Sequence, residues 1–186
     1  MKSTRKQLLS LLKLRSFKNQ ETTLASGKIS NFFIDCKQSI LSAKGHFLAA
    51  KVILKTLRTL PAVDAIAAVE LGGCPIASAV ATLSYMKGYP IDALYIRKSL
   101  KEHGSNRMIE GNDTLKKGSN VILLEDVTTT GNSAQNAVDT LKNAGYNVPC
   151  VISLVDRLEG AKENLENYGI SLVSIFTIMD FINHDD

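Results

Sequence analysis

The stretch VILLEDVTTTGNSAQNAV, residues 121–138, joins an apolar segment to one with helical spacing. Val121–Leu124 is a short uninterrupted apolar run, which is typical of a strand covered on both faces. Beyond the polar residues, four apolar side chains recur at helical spacing: Ala134, Ala137, Val138 and Leu141. The sequence therefore predicts a buried strand, a polar loop and an amphipathic helix, which is the repeating unit of a parallel α/β sheet.

The polar loop carries more functional groups than a turn requires. In open parallel sheets ligands bind beyond the carboxyl ends of strands, and a helix N-terminus offers free N–H groups to a phosphate. Six consecutive residues are suited to wrap such a phosphate: Thr128, Thr129, Thr130, Gly131, Asn132 and Ser133. Glu125 and Asp126 would repel that anion, so hydroxyl groups or a metal ion are their expected partners. A phosphate beside a diol indicates a ribose phosphate.

A simpler alternative exists for the same stretch. Glu125 and Asp126 would then be solvated loop acids, and Asn132 or Ser133 would only cap the helix. Short motifs match by accident often enough that the rest of the chain has to decide.

Length and composition indicate a single globular domain over residues 1–186, with 45% hydrophobic and 22% charged residues. The formal charge of +4 suits anionic ligands but falls short of a nucleic-acid-binding signature, so no nucleic-acid partner is expected. Cys36, Cys74 and Cys150 are scattered and lack CxxC spacing. They predict reduced cytoplasmic thiols rather than a disulfide framework or a zinc site.

The N-terminal residues combine basic side chains with leucines, as a signal peptide does. Lys13 and Arg15 interrupt the apolar run, and Leu8, Leu11 and Leu12 fit the buried stripe of an amphipathic helix. No stretch approaches the ~18 apolar residues of a membrane span. We therefore expect a soluble cytoplasmic protein with no membrane partner.

Strands and helices are predicted to alternate along the rest of the chain. Two β-prone segments flank Ser26-Gly27-Lys28 as in a hairpin, and residues 44–60 read as a helix whose apolar positions include Phe47. An apolar helix is predicted within 71–86 and a short helix at the C-terminus. Four further strands are predicted, at 64–70, 91–96, 148–156 and 172–178.

Two more loops follow strands and should lie at the same edge of the sheet as the first. The loop 70–75 contains Gly72 and Gly73, which permit close approach to a ligand or simply form a turn. The loop 97–111 is long and basic, which indicates either a solvated loop or a lid for a second phosphate group. Its cationic and histidine side chains are Arg97, Lys98, Lys101, His103 and Arg107.

A ligand with a phosphate at one end and a pyrophosphate at the other would need both polar loops. Mg²⁺ typically binds such a ligand through the phosphate oxygens and retains several waters. The chain has no G-x-x-x-x-G-K-[ST], no G-x-G-x-x-G opening a helix and no G-x-S-x-G. Walker, dinucleotide-binding and nucleophile-elbow sites are therefore not supported.

Four motifs in order along nearly the whole chain carry a family resemblance. VILLEDVTTTGNS resembles the phosphoribosyl pyrophosphate (PRPP) signature of type I phosphoribosyltransferases, and 96–111, IRKSLKEHGSNRMIEG, is similar to the catalytic loop of the orotate phosphoribosyltransferases. LASGKISNFFID, 24–35, resembles the substrate hood of those enzymes. SLVDRLEG, 153–160, resembles their orotate-binding segment.

The resemblance implies a type I phosphoribosyltransferase fold, an α/β fold with a mainly parallel central sheet flanked by helices. A small hood would be formed by about 1–40 and the C-terminal segment. The implied reaction transfers a 5-phosphoribosyl group from PRPP to N1 of orotate with Mg²⁺, giving orotidine 5′-monophosphate and pyrophosphate. The implied assembly is a homodimer in which the loop of one subunit covers the active site of the other.

The same resemblance assigns residue roles. Arg157 would pair with the orotate carboxylate, which suits its planar guanidinium, and Thr129 would also touch orotate. Lys101 would be the main transition-state electrostatic group and His103 the second, while Mg²⁺ would be bound mainly through PRPP. The implied PRPP-binding residues are Arg97, Lys98, Lys101, His103, Glu125, Asp126, Val127, Thr128, Thr129, Thr130, Gly131, Asn132 and Ser133.

Two departures from the family pattern concern lysines. Ala25 stands where the family often has a lysine, and Gly72 and Gly73 occupy the loop that often holds another, so Lys28 or backbone N–H groups would have to substitute. Two alternatives to orotate transfer remain: a phosphoribosyltransferase for another base, and a noncatalytic PRPP-binding regulator.

Overall fold

The computed structural model describes residues 3–23, 29–99 and 107–182. It begins with helix α1 (Thr4–Arg15), which buries three leucines as their spacing predicted. Two short antiparallel ribbons follow: β1 (Phe17–Lys18) pairs with β4 (Phe33–Ile34), and β2 (Thr22–Thr23) pairs with β3 (Ile29–Ser30). The pairing of β2 with β3 confirms the predicted hairpin, whose connecting residues 24–28 lie outside the described residues.

The central sheet has six strands: β5 (Ala65–Val69), β6 (Asp92–Ile96), β7 (Ile109–Glu110), β8 (Val121–Thr128), β9 (Cys150–Asp156) and β10 (Ser171–Thr177). Their order across the sheet is β10-β9-β8-β5-β6-β7. All neighbours are parallel except β7, which pairs antiparallel with β6 at the edge. The mainly parallel α/β sheet predicted from the sequence is confirmed.

Six helices accompany the sheet: α2 (Lys37–Ile40), α3 (Ala43–Leu57), α4 (Cys74–Met86), α5 (Asn132–Asn143), α6 (Ala161–Asn167) and α7 (Met179–Ile182). Two hydrophobic clusters cover its two faces. Ile122 and Leu124 of β8 belong to the cluster that contains α1, α3 and α4, whereas Val121 and Leu123 belong to the cluster that contains α5. Both faces of β8 are buried, which explains its uninterrupted apolar run.

Several details differ from the sequence predictions. Strand β8 continues through Glu125 and Asp126 to Thr128, so the two acids lie on the strand and not in the loop. Phe47, counted among the apolar positions of α3, is 52% exposed. The short elements α2 and β7 and the helix α6 were not predicted, because two to seven residues give too few repeats for a periodic pattern.

The three cysteines are free, in agreement with the predicted reduced thiols, and all three are buried. Within the described ranges, no helix is long and apolar enough to cross a membrane.

Candidate active site

The carboxyl ends of β5, β8 and β9 open onto one edge of the sheet, because the three strands are parallel neighbours. Ligands in open α/β sheets bind at this edge. It carries the loop 70–75 after β5, the acids and threonines at the end of β8, and Arg157 directly after β9. The parallel pairing of these strands therefore brings two of the predicted loops and Arg157 to the same edge of the sheet.

Glu125 is buried in the strand, with 8% of its surface exposed. Its Oε1 has no hydrogen-bond partner among the residues that the structure describes. Burial, with a smaller contribution from the neighbouring Asp126 carboxylate, raises the pKa of Glu125 to about 8, and Lys98 opposes the shift. The alternative of a solvated loop acid is wrong for Glu125, whose unsatisfied oxygen instead suits a donor brought by a ligand.

Asp126 lies in a tight site beside the loop 70–75. Its Oδ1 accepts the N–H of Val127 at 3.0 Å. Burial raises the pKa of Asp126, and Lys37 and this N–H oppose the shift. A Cβ at Gly72 would overlap the Asp126 carboxylate, and one at Gly73 would stand 2.8 Å from the Leu124 carbonyl oxygen. The adjacent glycines are therefore required by close approach to β8 and not only by the turn.

The residues after β8 form a loop whose carbonyl groups are already bonded. Thr128 O accepts Arg157 N–H at 3.0 Å, Thr129 O accepts Ala161 N–H at 3.1 Å, and Thr130 O accepts Asn164 Nδ2 at 2.8 Å. These bonds tie the loop to the segment 157–164. No hydrogen bond is found from the N–H groups of 129–134 to any part of the described chain, so they remain available to an anion at the start of α5.

Gly131 sets the start of α5. It has φ +85°, a left-handed conformation that other residues adopt only with strain, and no side chain caps the helix. The alternative in which Asn132 or Ser133 caps α5 is therefore wrong. Both side chains are exposed beside the open N–H groups, which is consistent with contact to a ligand.

The three threonines differ in direction. Thr128 is 3% exposed, and its hydroxyl donates to Ser153 Oγ at 3.0 Å inside the sheet. Thr129 is half-buried and Thr130 is exposed. Thr128 can therefore reach a ligand only through its backbone, whereas Thr130 is exposed. Val127, half-buried, contributes its N–H to Asp126.

Arg157 is held in place although it follows the end of a strand. It is 7% exposed, its guanidinium lies 4.7 Å from the centre of the Phe32 ring, and its Nη2 is 2.8 Å from Glu159 Oε1. Asp156 fixes the following turn, because its Oδ1 accepts the N–H of Leu158 at 2.9 Å. The planar guanidinium is thus pre-oriented on an aromatic ring, which suits a planar anionic partner.

The first two cations of the basic loop have different surroundings. Arg97 directs Nη1 to Glu110 Oε1 at 3.2 Å, across the β6–β7 ribbon. Lys98 is exposed, its N–H donates to Glu70 Oε1 at 2.7 Å, and its charge acts on Glu125. Lys98 therefore borders the acidic pair, while Arg97 is engaged with its neighbouring strand.

Some predicted residues fall outside the described ranges. Lys101 and His103 of the basic loop do, and so do Ala25 and Lys28 of the hood. Their predicted roles stay predictions.

Three residues near the site were not singled out from the sequence: Asp35, Lys37 and Glu70. Asp35 and Lys37 form a 2.7 Å ion pair close enough to act on Asp126, while Glu70 fixes the start of the basic loop. The long-range contact of the Cys36 thiol with the Asp126 carbonyl oxygen brings the first two there, and no local pattern signals it.

The donor set at the site is relevant to a metal ion. No group of three or more His, Cys, Asp or Glu residues that could hold one occurs in the described ranges. Glu125, Asp126 and the free N–H groups of 129–134 are compatible with a phosphate ligand that brings its own Mg²⁺, because Mg²⁺ takes most of its ligands from phosphate oxygens and water.

Comparison with known proteins identifies the family. Residues 39–181 match the family described as phosphoribosyl transferase domain. The orotate phosphoribosyltransferase of Sorangium cellulosum is 51% identical over 180 residues, which cover 97% of this chain and 94% of that protein. The chain belongs to the orotate phosphoribosyltransferase family.

Solved structures of orotate phosphoribosyltransferases show the same fold. The Mycobacterium tuberculosis enzyme in complex with Fe(III) dicitrate has a TM-score of 0.82 and 31% identity, covering 97% of this chain and 100% of that one. The same enzyme in complex with PRPP has a TM-score of 0.78 and 29% identity, covering 96% and 99%. The type I phosphoribosyltransferase fold implied by the sequence motifs is thereby confirmed.

Proposed function

We propose that this protein is an orotate phosphoribosyltransferase of pyrimidine (UMP) biosynthesis. It transfers the 5-phosphoribosyl group of PRPP to N1 of orotate and releases orotidine 5′-monophosphate and pyrophosphate. The observation that carries the proposal is one juxtaposition. The buried Glu125, the half-buried Asp126, an open helix N-terminus and Arg157 meet at the ends of two adjacent strands. The names of the relatives and the PRPP bound to the Mycobacterium tuberculosis enzyme support it.

The ribose 5-phosphate portion of PRPP fits the end of β8 and the start of α5. Glu125 and Asp126 accept hydrogen bonds from the ribose hydroxyls, which would satisfy the free Oε1 of Glu125. The 5-phosphate binds at the loop that includes Val127 and Thr128 to Ser133. There the carbonyl groups of Thr128 to Thr130 are bonded to 157–164, and the N–H groups of 129–134 are free to donate to the phosphate.

Orotate fits beside Arg157, whose guanidinium pairs with the orotate carboxylate in a bidentate arrangement. Thr129, a member of the phosphate-binding loop, also contacts orotate. The contacts of the Arg157 guanidinium with the Phe32 ring and with Glu159 support this role, because they restrict its position before the ligand arrives.

Pyrophosphate fits the basic loop, with contacts from Arg97, Lys98, Lys101 and His103. For Arg97 this requires exchange of its present partner Glu110. Lys101 is the main group that stabilises the departing charge, and His103 is the second. Backbone N–H groups of the glycine loop supplement these cations where the family often has a lysine.

The reaction needs no covalent nucleophile from the protein. N1 of anionic orotate forms a bond to C1′ of the ribose, and the bond from C1′ to the pyrophosphate oxygen breaks with its electron pair going to pyrophosphate. Mg²⁺, held mainly through PRPP, neutralises charge on the phosphate oxygens. The protein's own contribution is to orient both substrates, stabilise the leaving group and exclude water while C1′ carries positive charge.

The assembly we propose is a homodimer with shared active sites. An apolar surface on α3 and α4 supports a partner there. Four large side chains on and next to these helices are exposed: Leu41 at 60%, Phe47 at 52%, Tyr85 at 76% and Met86 at 74%. Exposed apolar patches of this kind mark protein interfaces.

Mixing two inactive variants tests the sharing of sites. Lys101→Ala damages the loop and Asp126→Asn damages the ribose site. If each loop serves the other subunit, a mixed dimer carries one doubly damaged site and one intact site. Random exchange would make about half of the dimers mixed, so activity should recover to roughly a quarter of wild type. No recovery, with mixed dimers demonstrated by mass spectrometry, would reject shared sites.

We place the enzyme in the cytoplasm, a proposal supported by its three free cysteines. Location of the native protein by cell fractionation tests this directly. A secreted protein with oxidised cysteines would contradict it.

A panel of bases tests the substrate. With PRPP and Mg²⁺ fixed, the protein should consume orotate far faster than adenine, hypoxanthine or uracil, as followed by chromatography of the nucleotide products. Equal turnover of a purine would favour a phosphoribosyltransferase for another base. Tight PRPP binding without turnover of any base would favour a noncatalytic regulator.

A further inference from the structure

The start of α2 holds a lysine in a fixed position. Lys37 Nζ lies 2.7 Å from Asp35 Oδ1, and the same oxygen accepts the backbone N–H of Lys37 at 3.1 Å. The other oxygen, Oδ2, accepts Gln38 Nε2 at 3.3 Å. Both Asp35 oxygens are therefore bonded, and the Lys37 ammonium is tied to a carboxylate that cannot easily rotate away.

This segment packs against the strand that carries the acids. Cys36, between the two paired residues, is fully buried and directs its thiol to the carbonyl oxygen of Asp126 at 3.7 Å. Asp35, which follows β4, and Lys37, which begins α2, are therefore near enough to act on Asp126. Glu125 precedes Asp126 on β8, and the Gly72 backbone lies against the Asp126 carboxylate.

Among the described residues that influence the pKa of Asp126, Lys37 is the only cation. Burial raises the pKa of Asp126, Lys37 is the largest opposing influence, and Asp35 acts in the raising direction. Lys37 makes its short contact with Asp35 and acts on Asp126 from further away. An ionised carboxylate accepts hydrogen bonds from a ribose diol more strongly than a protonated one.

We infer that Lys37, anchored by Asp35, is a positioning residue that places a positive charge near the Asp126 carboxylate and strengthens its hydrogen bonds to the ribose hydroxyls of PRPP. The inference rests on the proposed function, because it takes PRPP as the ligand of Asp126. Lys37 thus contributes to PRPP affinity through Asp126. Lys37 also supplies a positive charge to a site in which the loop 70–75 carries no lysine or arginine.

A double-mutant cycle on PRPP binding tests the inference. The dissociation constant of PRPP with Mg²⁺ is measured by calorimetry for wild type, Lys37→Met, Asp126→Asn and the double variant. Lys37→Met should weaken binding by about 3- to 10-fold in the wild-type background, the size expected of one charge acting near a protein surface. In the Asp126→Asn background the same change should have less than about a twofold effect, because its target is gone.

Two further variants control for fold and for net charge. Lys37→Arg keeps the charge and should retain wild-type affinity, whereas Lys44→Met removes an exposed charge on α3 and should leave affinity unchanged. The side chain of Lys37 is 41% exposed, so Lys37→Met should keep the wild-type melting temperature. If Lys37→Met does not fold, Lys37→Gln is used in the same cycle.

The outcomes separate this inference from the proposed function. An equal loss in both backgrounds would show that Lys37 acts independently of Asp126, and no loss in either would show that it has no role in binding; both overturn the inference. If wild type itself bound no PRPP, the proposed function would fail first.

Discussion

The Asp126 carboxylate lies against the backbone of Gly72, so closely that a methyl group at position 72 would overlap it. We therefore expect Gly72→Ala to displace the carboxylate and to weaken PRPP binding by at least about 10-fold, with about 1–3 kcal/mol lost from stability through overpacking. Calorimetry and thermal unfolding measure the two effects. Gly88→Ala is the control, because nothing lies within 4 Å of a Cβ there and only the strain of its φ of +78° should be felt. Unchanged PRPP affinity in Gly72→Ala would contradict the close approach.

The threonines of the phosphate loop allow a matched comparison. Thr128→Val removes a buried hydroxyl and leaves Ser153 Oγ without its partner, so unfolding should become easier by about 1–2 kcal/mol while PRPP affinity changes little. Thr130→Val removes an exposed hydroxyl, so stability should hold while PRPP binds about 3- to 10-fold more weakly. Chemical denaturation and calorimetry on both variants check this. The reverse pattern would mean that the two side chains point the other way.

The sequence predicted the parts of this fold that repeat regularly. Helix α5 was found from its apolar spacing and α1 from three leucines, and both bury those residues. The end of β8 was misjudged because Glu125 is a poor strand residue by composition. It is tolerated there because the strand end presents it to a site, where local rules are expected to fail.

Side-chain direction could not be read from the motif. Thr128 and Thr130 both belong to the recognised signature. Thr128, however, is the last residue of a strand, and its side chain lies on the buried face where it bonds Ser153 of the neighbouring strand. Contacts across distant parts of the chain were also missed. The Asp35–Lys37 pair reaches Asp126 only because Cys36 packs on β8, some ninety positions away in sequence.

Arg157 should discriminate between the two substrates. Arg157→Lys keeps the charge but loses the planar fork and the fit to the Phe32 ring, so orotate should bind at least about 10-fold more weakly while PRPP affinity falls less than threefold. The two effects are measured separately, by calorimetry for PRPP and by the KM for orotate at saturating PRPP. Equal losses for both ligands would show that Arg157 maintains the site as a whole and does not select orotate.

The buried Glu125 should leave a signature in the pH dependence of stability. Burial raises the pKa of Glu125 from its usual 4.5 to about 8, so between these values the folded protein holds a proton that the unfolded chain has released. The folded state binds more protons in this window, and stability contributed at this site falls as pH rises through it and levels off above about 8. The pKa of Asp126 is raised as well, but Asp126 is present both in wild type and in Glu125→Gln, so it does not account for a difference between them.

Glu125→Gln removes this titration. Without ligand or Mg²⁺, the unfolding free energy of Glu125→Gln relative to wild type should therefore increase steadily from about pH 4.5 to about pH 8. Urea denaturation at several pH values measures it. Parallel stability curves for the two proteins would mean that Glu125 is ionised at neutral pH in the folded state.

The central claim is that the end of β8 binds the ribose of PRPP for transfer to orotate. The most direct test is the rate of PRPP-dependent orotate consumption in Asp126→Asn relative to wild type, with the melting temperature of each. The Oδ1 that accepts Val127 N–H is preserved in asparagine, so folding should be maintained. Loss of a charged acceptor for the ribose hydroxyls should lower kcat/KM for PRPP by about 10- to 100-fold. A normal rate combined with a large fall in melting temperature would show that Asp126 supports only the fold, and would contradict the account.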